Sequence, residues 1–246
     1  MVDVDVELLE AVKAGDLTRV SKALEKGADV DARERGWERT ALMLASSPTR
    51  PHIMKALLDA GAAVDLTGSL GETALILAAS GRGGESITLL LTHGADPNMA
   101  DRDQKTPLMW AVDPQFHHQS NTHESAALLI TGGARVNDHD ENGKTALMWA
   151  VDGLTSFDVR PATLATLVEL GADVNATDPR GETAMFRLVR YIDSNLDLTS
   201  GPDCIKVLID AGADPNAVNS AGKTPLGIVD PNNPLVLDLL RDLGFR

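Results

Sequence analysis

Five residues, Gly-Ala-Asp-Val-Asn at 171–175, return with small changes at Gly27, Gly61, Gly94, Gly133 and Gly212. Each copy is followed twelve or thirteen residues later by a threonine leading into Pro-Leu, Ala-Leu or Ala-Met. Self-similarity on such a period is the mark of a solenoid, in which every unit leans on its neighbours. A stack of short units exposes a long surface and encloses no pocket, a shape suited to gripping another macromolecule.

The threonines are Thr40, Thr73, Thr106, Thr145, Thr183 and Thr224, at steps of 33, 33, 39, 38 and 41 residues. Each opens a first helix: its hydroxyl accepts from an otherwise orphaned amide of the first turn, and Pro107 and Pro225 directly after it stand where a missing N–H costs nothing. A second helix is marked by Pro51, Pro161, Pro202 and Pro234, each ten residues before a closing glycine, namely Gly61, Gly171, Gly212 and Gly244. The glycine supplies the left-handed residue that ends this helix, and the polar Asp or Asn after it starts the next turn. Apolar residues just before the glycine, such as Leu57, Leu58, Leu90, Leu91, Leu128, Leu129, Leu208 and Ile209, are expected to pack between neighbouring units.

In motif and phase the chain resembles the ankyrin-repeat family, whose unit reads roughly D-x-x-G-x-T-P-L-H-x-A-A followed by h-x-x-L-L-x-x-G-A-D-h-N. The likeness runs over nearly the whole length and implies an all-α fold: an ankyrin-type solenoid of stacked helix pairs with β-turn fingers, about seven units including terminal caps. The expected layout is a single domain, 1–246. Within it, 1–29 is an N-terminal cap repeat, 30–96 two regular repeats, 97–214 three repeats with insertions, and 215–246 a C-terminal cap repeat. The chain departs from the family pattern at the histidine, replaced by Met43, Ile76, Met109, Met148, Phe186 and Gly227, so packing must substitute for that residue's hydrogen bonds. Gln104 occupies a turn-glycine position and the turn at Gly36 and Trp37 has one extra residue, so both fingers are expected to bend unusually.

From threonine to closing glycine the distance is 21 residues in the first two full repeats, then 27, 26 and 29. The additions therefore fall between the paired helices: a loop at 114–122, a second at 154–160, and a prolonged first helix from 185 to 192 before a connection at 194–201. Surface insertions cost little stability and often carry function. Three in a row read either as a local platform or as tolerated drift.

Net charge is −14, spread through the repeats. Phosphate binding needs a basic stripe, so nucleic acid is excluded as a partner, and a protein with a basic patch is the better electrostatic match. Solubility alone is the plainer reading of the same charge. No apolar stretch is long enough to span a bilayer and none opens the chain, so no membrane is involved and the expected location is cytoplasmic. Cys204, the only cysteine, falls on an apolar position of a second helix and reads as a core residue.

Catalytic chemistry finds no foothold. His117, His118 and His123 lie within seven residues and with Asp113 or Glu124 form a metal set on paper, but no cysteine supports them and adjacent histidines seldom share an ion. No nucleophile stands on a strand-turn-helix elbow, no Gly-rich loop cradles phosphate, and a general acid or base needs a pocket that shifts its pKa, whereas the finger carboxylates are expected to be solvated. The chain is read as a non-enzyme with no cofactor and no metal.

Aromatic and methionine side chains are better candidates, because interface centres favour them. Met109-Trp110 and Met148-Trp149 hold matching places on successive first helices, beside the loops carrying Phe116 and Phe157. The resemblance implies that the inner face of the first helices and the fingers form a groove bordered by these tryptophans, or else the rings plug gaps between repeats. Arg187, Arg190 and Tyr191 at helical spacing suggest a basic, aromatic spot, and Trp37, Arg102, Glu141 and Arg180 are candidate contacts by their place on the fingers. The expected function is to hold a folded protein partner, the chain itself being a monomer, through the concave groove and the loops of the three extended repeats. The alternatives are an inhibitor or immunity-type cap on another enzyme and, further off, small-molecule or metal binding at the histidine-rich loop.

Overall fold

The computed structural model describes residues 3–46, 50–81, 83–113, 122–152, 161–195 and 200–246. Among these residues there are thirteen α-helices: α1 (Val4–Ala14), α2 (Leu17–Glu25), α3 (Ala41–Ala45), α4 (Pro51–Asp59), α5 (Ala74–Ser80), α6 (Gly84–Thr92), α7 (Pro107–Val112), α8 (Thr122–Thr131), α9 (Ala146–Val151), α10 (Pro161–Glu169), α11 (Ala184–Asn195), α12 (Gly201–Asp210) and α13 (Pro234–Asp242). Strand pairing among them is limited to isolated bridges, Arg33 with Thr40 and His139 with Thr145. The fold is an all-α ankyrin-type solenoid.

Helix starts follow the threonine signal. Thr40, Thr73, Thr106, Thr145 and Thr224 each accept from the backbone amide three residues on, at 3.2–3.4 Å. Thr183 departs from this, its buried hydroxyl having no hydrogen-bond partner. Prolines sit in the first turn of α4, α12 and α13, where no amide partner is lost. After Thr224 the first helix shrinks to a 3-10 turn, Leu226–Ile228. Gly227 in its middle is a poor helix residue, and Pro231 follows closely. By contrast α11 runs twelve residues, because no Gly or Pro interrupts it.

The chain divides into two compact units, Met1–Ala111 with Thr131–Ala134 and Val112–Ile130 with Arg135–Arg246. In the first, α1, α3 and α5 pack in sequence on one side and α2, α4 and α6 on the other; in the second, α9 packs on α11 and α10 on α12. In both units the core includes one recurrent register. The residue four before each closing glycine is fully buried: Ala23, Leu57, Leu90, Leu129, Leu167, Leu208 and Leu240. Each leucine there stabilises by roughly 1.5–3 kcal/mol through transfer from water. Leu91, Leu128 and Ile209, which neighbour that register, are only half-buried. Cys204 is fully buried in α12.

A polar ladder runs alongside the core. Asn98, Asn137 and Asn175 each donate Nδ2 to the carbonyl of the next closing glycine, Gly133, Gly171 and Gly212, at 3.0–3.2 Å. Asn137 and Asn175 also accept from the next repeat's amides at Asp173 and Asp214. In the first repeats Asp31 and Asp65 fill the same column and only accept, from Ala63 and Asp96.

Gln104 does not bend its finger as the sequence suggested. It adopts φ 60°, close to the 74° of Gly143 and 71° of Gly181, and its amide donates to the Asp101 carbonyl at 3.0 Å as Gly143 does to Asp140. The turn keeps its shape and stores strain, since a side chain at positive φ costs energy that glycine does not. The finger at Gly36 is unusual: its extra residue demands two left-handed positions, Gly36 at 96° and Glu38 at 54°.

Candidate partner-binding surface

Three of the fingers are each built by one aspartate, and Asn219 plays the same part in the last. Asp101 Oδ1 accepts from the amides of Asp103 and Lys105, Asp140 Oδ1 from Asn142 and Lys144, and Asp178 Oδ1 from Arg180 and Glu182, at 2.8–3.0 Å. The second carboxylate oxygen reaches nine residues on, to the first helix. Trp110 Nε1 donates to Asp101 at 2.8 Å, Trp149 Nε1 to Asp140 at 3.2 Å, and an Arg187 Nη to Asp178 at 2.6 Å. A lysine ammonium lies over each indole face, Lys105 at 4.0 Å from the Trp110 ring centre and Lys144 at 4.4 Å from that of Trp149.

In the second unit the network widens. Asp152 accepts both oxygens' worth of contact from Arg187, at 3.0 and 2.8 Å, and binds Lys144 at 2.6 Å. Glu182 takes a two-pronged contact from Arg190. Burial pushes the Asp178 carboxyl up, but the Glu182 and Arg180 amides and the Arg187 guanidinium outweigh it and hold the group below its ordinary value. For Arg187 burial pulls the other way, and the Asp152 and Asp178 carboxylates together raise it above its ordinary value.

These contacts redistribute the residues singled out in the sequence. Met109 and Met148 are 1% and 0% exposed, so they are core side chains that take the space of the missing histidine and present nothing to a partner. Tyr191 is also buried, and the side chain of Arg187 is only 10% exposed between two carboxylates. The expected basic, aromatic spot is therefore absent: both arginines of α11 are neutralised by acids that sequence spacing alone did not pair with them. Arg190 remains partly exposed against Glu182. Trp110 and Trp149 are half-buried, pinned at the nitrogen and covered on one face. Trp37, Arg102, Glu141 and Arg180 are exposed on the fingers. Phe116, Phe157, His117 and His118 lie outside the described residues; His123 is exposed on α8.

Sequence reading missed Asp101, Asp140 and Asp178 as anchors, together with Lys105, Lys144 and Asp152. A signal was present: the nine-residue interval from finger aspartate to Trp, Trp and Arg repeats in three successive units.

Finger tips are joined backbone to backbone. Ser69 donates to the Trp37 carbonyl and Arg102 to the Leu70 carbonyl in the first unit, and Ser220 to the Arg180 carbonyl in the second, at 2.9–3.0 Å. In the first unit the tip side chains Trp37 and Leu70 face water, 53% and 48% exposed. In the first unit the fingers and first helices enclose a cleft of about 380 Å³ between Arg39, Leu70, Glu72, Leu77, Arg102 and Trp110. No group of three or more metal-ligating side chains occurs among the described residues, and no described helix is long and apolar enough to cross a membrane.

The family model for ankyrin repeats (3 copies) matches residues 8–101, 50–116 and 80–178, and the chain belongs to the ankyrin-repeat family. Ankyrin repeats generally mediate protein–protein interaction and are typically non-enzymatic. The chain is 40% identical over 108 residues to the horse (Equus caballus) ankyrin repeat, SAM and basic leucine zipper domain-containing protein 1, a match covering 42% of this chain and 22% of that relative. It thus spans about a fifth of the length of the curated relatives it matches. Among solved structures it is similar to the human ASB11 ankyrin repeat domain, with a TM-score of 0.76 at 23% identity over 95% of this chain and 96% of that one. The Bcl-3 ankyrin repeat domain, described as a unique member of the IkappaB protein family, gives 0.71 at 26% identity over 96% and 97%.

Proposed function

We propose that the protein is a non-enzymatic binding module, its 1–246 repeats acting together, that holds a folded protein partner on the side formed by the fingers and first helices. The observation that carries this is the backbone bonding between finger tips within each unit, beside which Trp37, Leu70 and Arg102 in the first and Arg180 in the second are exposed before any partner arrives. Contacts ordered in advance lose less freedom on binding, and exposed aromatics and arginines are what interface centres use. The charge of −14 favours encounter with a partner whose surface is basic overall. Protein interaction is also the general role of the family.

The test is co-purification of a partner, reconstitution of the complex from the two purified proteins, and titration of Trp37→Ser and Arg180→Ser variants. Both should weaken the complex while melting like the parent. Unchanged affinity in both would move the interface elsewhere. If the partner is an enzyme, loss of its activity in the complex distinguishes an inhibitory cap from a scaffold, and the half-exposed Trp110 makes a fluorescence reporter for either.

A further inference from the structure

The cleft in the first unit has acids whose oxygens are already spoken for. Glu72 Oε1 accepts from Arg39 Nε at 3.0 Å and its Oε2 from the Leu70 amide at 2.8 Å. Asp101 Oδ1 holds two amides of its finger and Oδ2 holds the Trp110 indole. Two cations stand in the opposite condition. Arg39 uses only Nε, leaving its terminal nitrogens without a hydrogen bond among the described residues, and Arg102 is exposed with its whole guanidinium in that state. Arg39 also lies 5.6 Å from the Trp37 ring centre, which orients it along the rim. Against these, Asp103 adds one exposed carboxylate.

The lining between them is mainly apolar. Leu70, Leu77 and Trp110 contribute to it, and Leu70 is 48% exposed. A volume of about 380 Å³ suits one or two large side chains of a protein segment. A molecule that is strongly acidic at long range thus has, at contact, a site with unspent donors in excess of unspent acceptors.

We propose that this cleft takes a segment of the partner in which a large apolar side chain neighbours a carboxylate, the apolar group entering between Leu70, Leu77 and Trp110 and the carboxylate meeting Arg102 and Arg39. The inference rests on the reading of the finger side as the partner surface. Guanidinium forks bind carboxylates in two-pronged contacts, and the apolar floor excludes water from that pair, so both halves of the segment are needed. Net charge governs the rate of encounter, and the cleft selects which segment docks.

Two labelled twelve-residue peptides test it on the full chain, one alternating leucine with glutamate and one leucine with lysine, read by fluorescence polarisation. The leucine–glutamate peptide binds roughly tenfold more tightly. Arg102→Glu reverses the preference, and Leu70→Ser weakens both, with thermal melts unchanged because neither side chain supports the fold. Equal binding of the two peptides, tighter binding of the lysine peptide, no binding of either at millimolar concentration, or indifference to Arg102→Glu overturns the proposal. If the peptides fail while Trp37→Ser and Arg180→Ser still weaken the reconstituted partner, the selectivity proposed for the cleft falls and the binding surface stands. If those two also leave the partner unaffected, the surface falls with it.

Discussion

Trp110 donates its indole Nε1 to Asp101 Oδ2 at 2.8 Å, tying a first helix to the finger that precedes it. The same bond recurs between Trp149 and Asp140, and a guanidinium replaces the indole between Arg187 and Asp178. A half-exposed tryptophan therefore has a structural duty before any partner is considered.

Trp110→Phe keeps most of the ring and removes the donor, leaving one oxygen of the buried Asp101 short of a partner. A loss of about 1–2 kcal/mol is expected in urea unfolding. Asp101→Ala strips two amides and the indole at once and should cost more, about 2–3 kcal/mol. A Trp110→Phe protein as stable as the parent would show that the bond contributes nothing.

Gln104→Gly relieves a left-handed side chain without altering the turn. Strain relief of about 1–2 kcal/mol, less about 0.4–1 for the freer unfolded chain, predicts a gain of up to about 1.6 kcal/mol in urea unfolding. The converse, Gly143→Ala, combines φ 74° with a new Cβ only 2.5 Å from Pro179 Cδ. It should lose about 1–3 kcal/mol.

Asp65 is pushed above its ordinary carboxyl value by burial and by the Asp96 carboxylate, against the opposing Asp96 amide. A folded-state value above the unfolded one means that the native state holds this proton more tightly, so the penalty for ionising it is present at neutral pH and fades as pH falls through the folded value. Asp65→Asn should stabilise at pH 7, gain a donor bond to the Gly94 carbonyl like those of Asn137 and Asn175, and lose its advantage in acid. Equilibrium unfolding from pH 3 to 7 reads this out, and a variant less stable than the parent at pH 7 would contradict it.

Asp178 titrates with the opposite sign. Burial raises it, but amides and Arg187 win, and its folded value lies below the unfolded one. Its contribution is complete above the unfolded carboxyl value and is lost as pH falls through the folded value. Asp178→Asn should be less stable than the parent near neutrality, and the gap should close on acidification. A gap that stays constant with pH would mean the charge on Asp178 is immaterial.

The sequence made the repeat phase, both helix starts and the closing glycines legible, because threonine caps, first-turn prolines and left-handed glycines act within a few residues of themselves. It also carried the prolongation of α11, which no breaker interrupts, although the helix runs to Asn195, three residues past the expected end. Less of the surface could be read. Met109 and Trp110 are adjacent in sequence, but a helix turns them to different faces, one into the core and the other half-exposed against Asp101 of its finger. Arg187 looked like an unpaired cation until Asp152, thirty-five residues away, and Asp178 were seen beside it. Gln104 was misjudged because local propensity gave way to the hydrogen bonds that Asp101 imposes on its turn.

The asparagine ladder has a bearing on how such a chain tolerates change. Asn137 and Asn175 grip the following module just past the closing glycine and so fix the translation from one module to the next within their unit. Extra residues enter elsewhere, between the paired helices, where they leave that grip untouched. Foreign loops grafted at those connections should leave the pitch of the stack as it was, whereas a single residue added between Gly171 and Asn175 would unhook it.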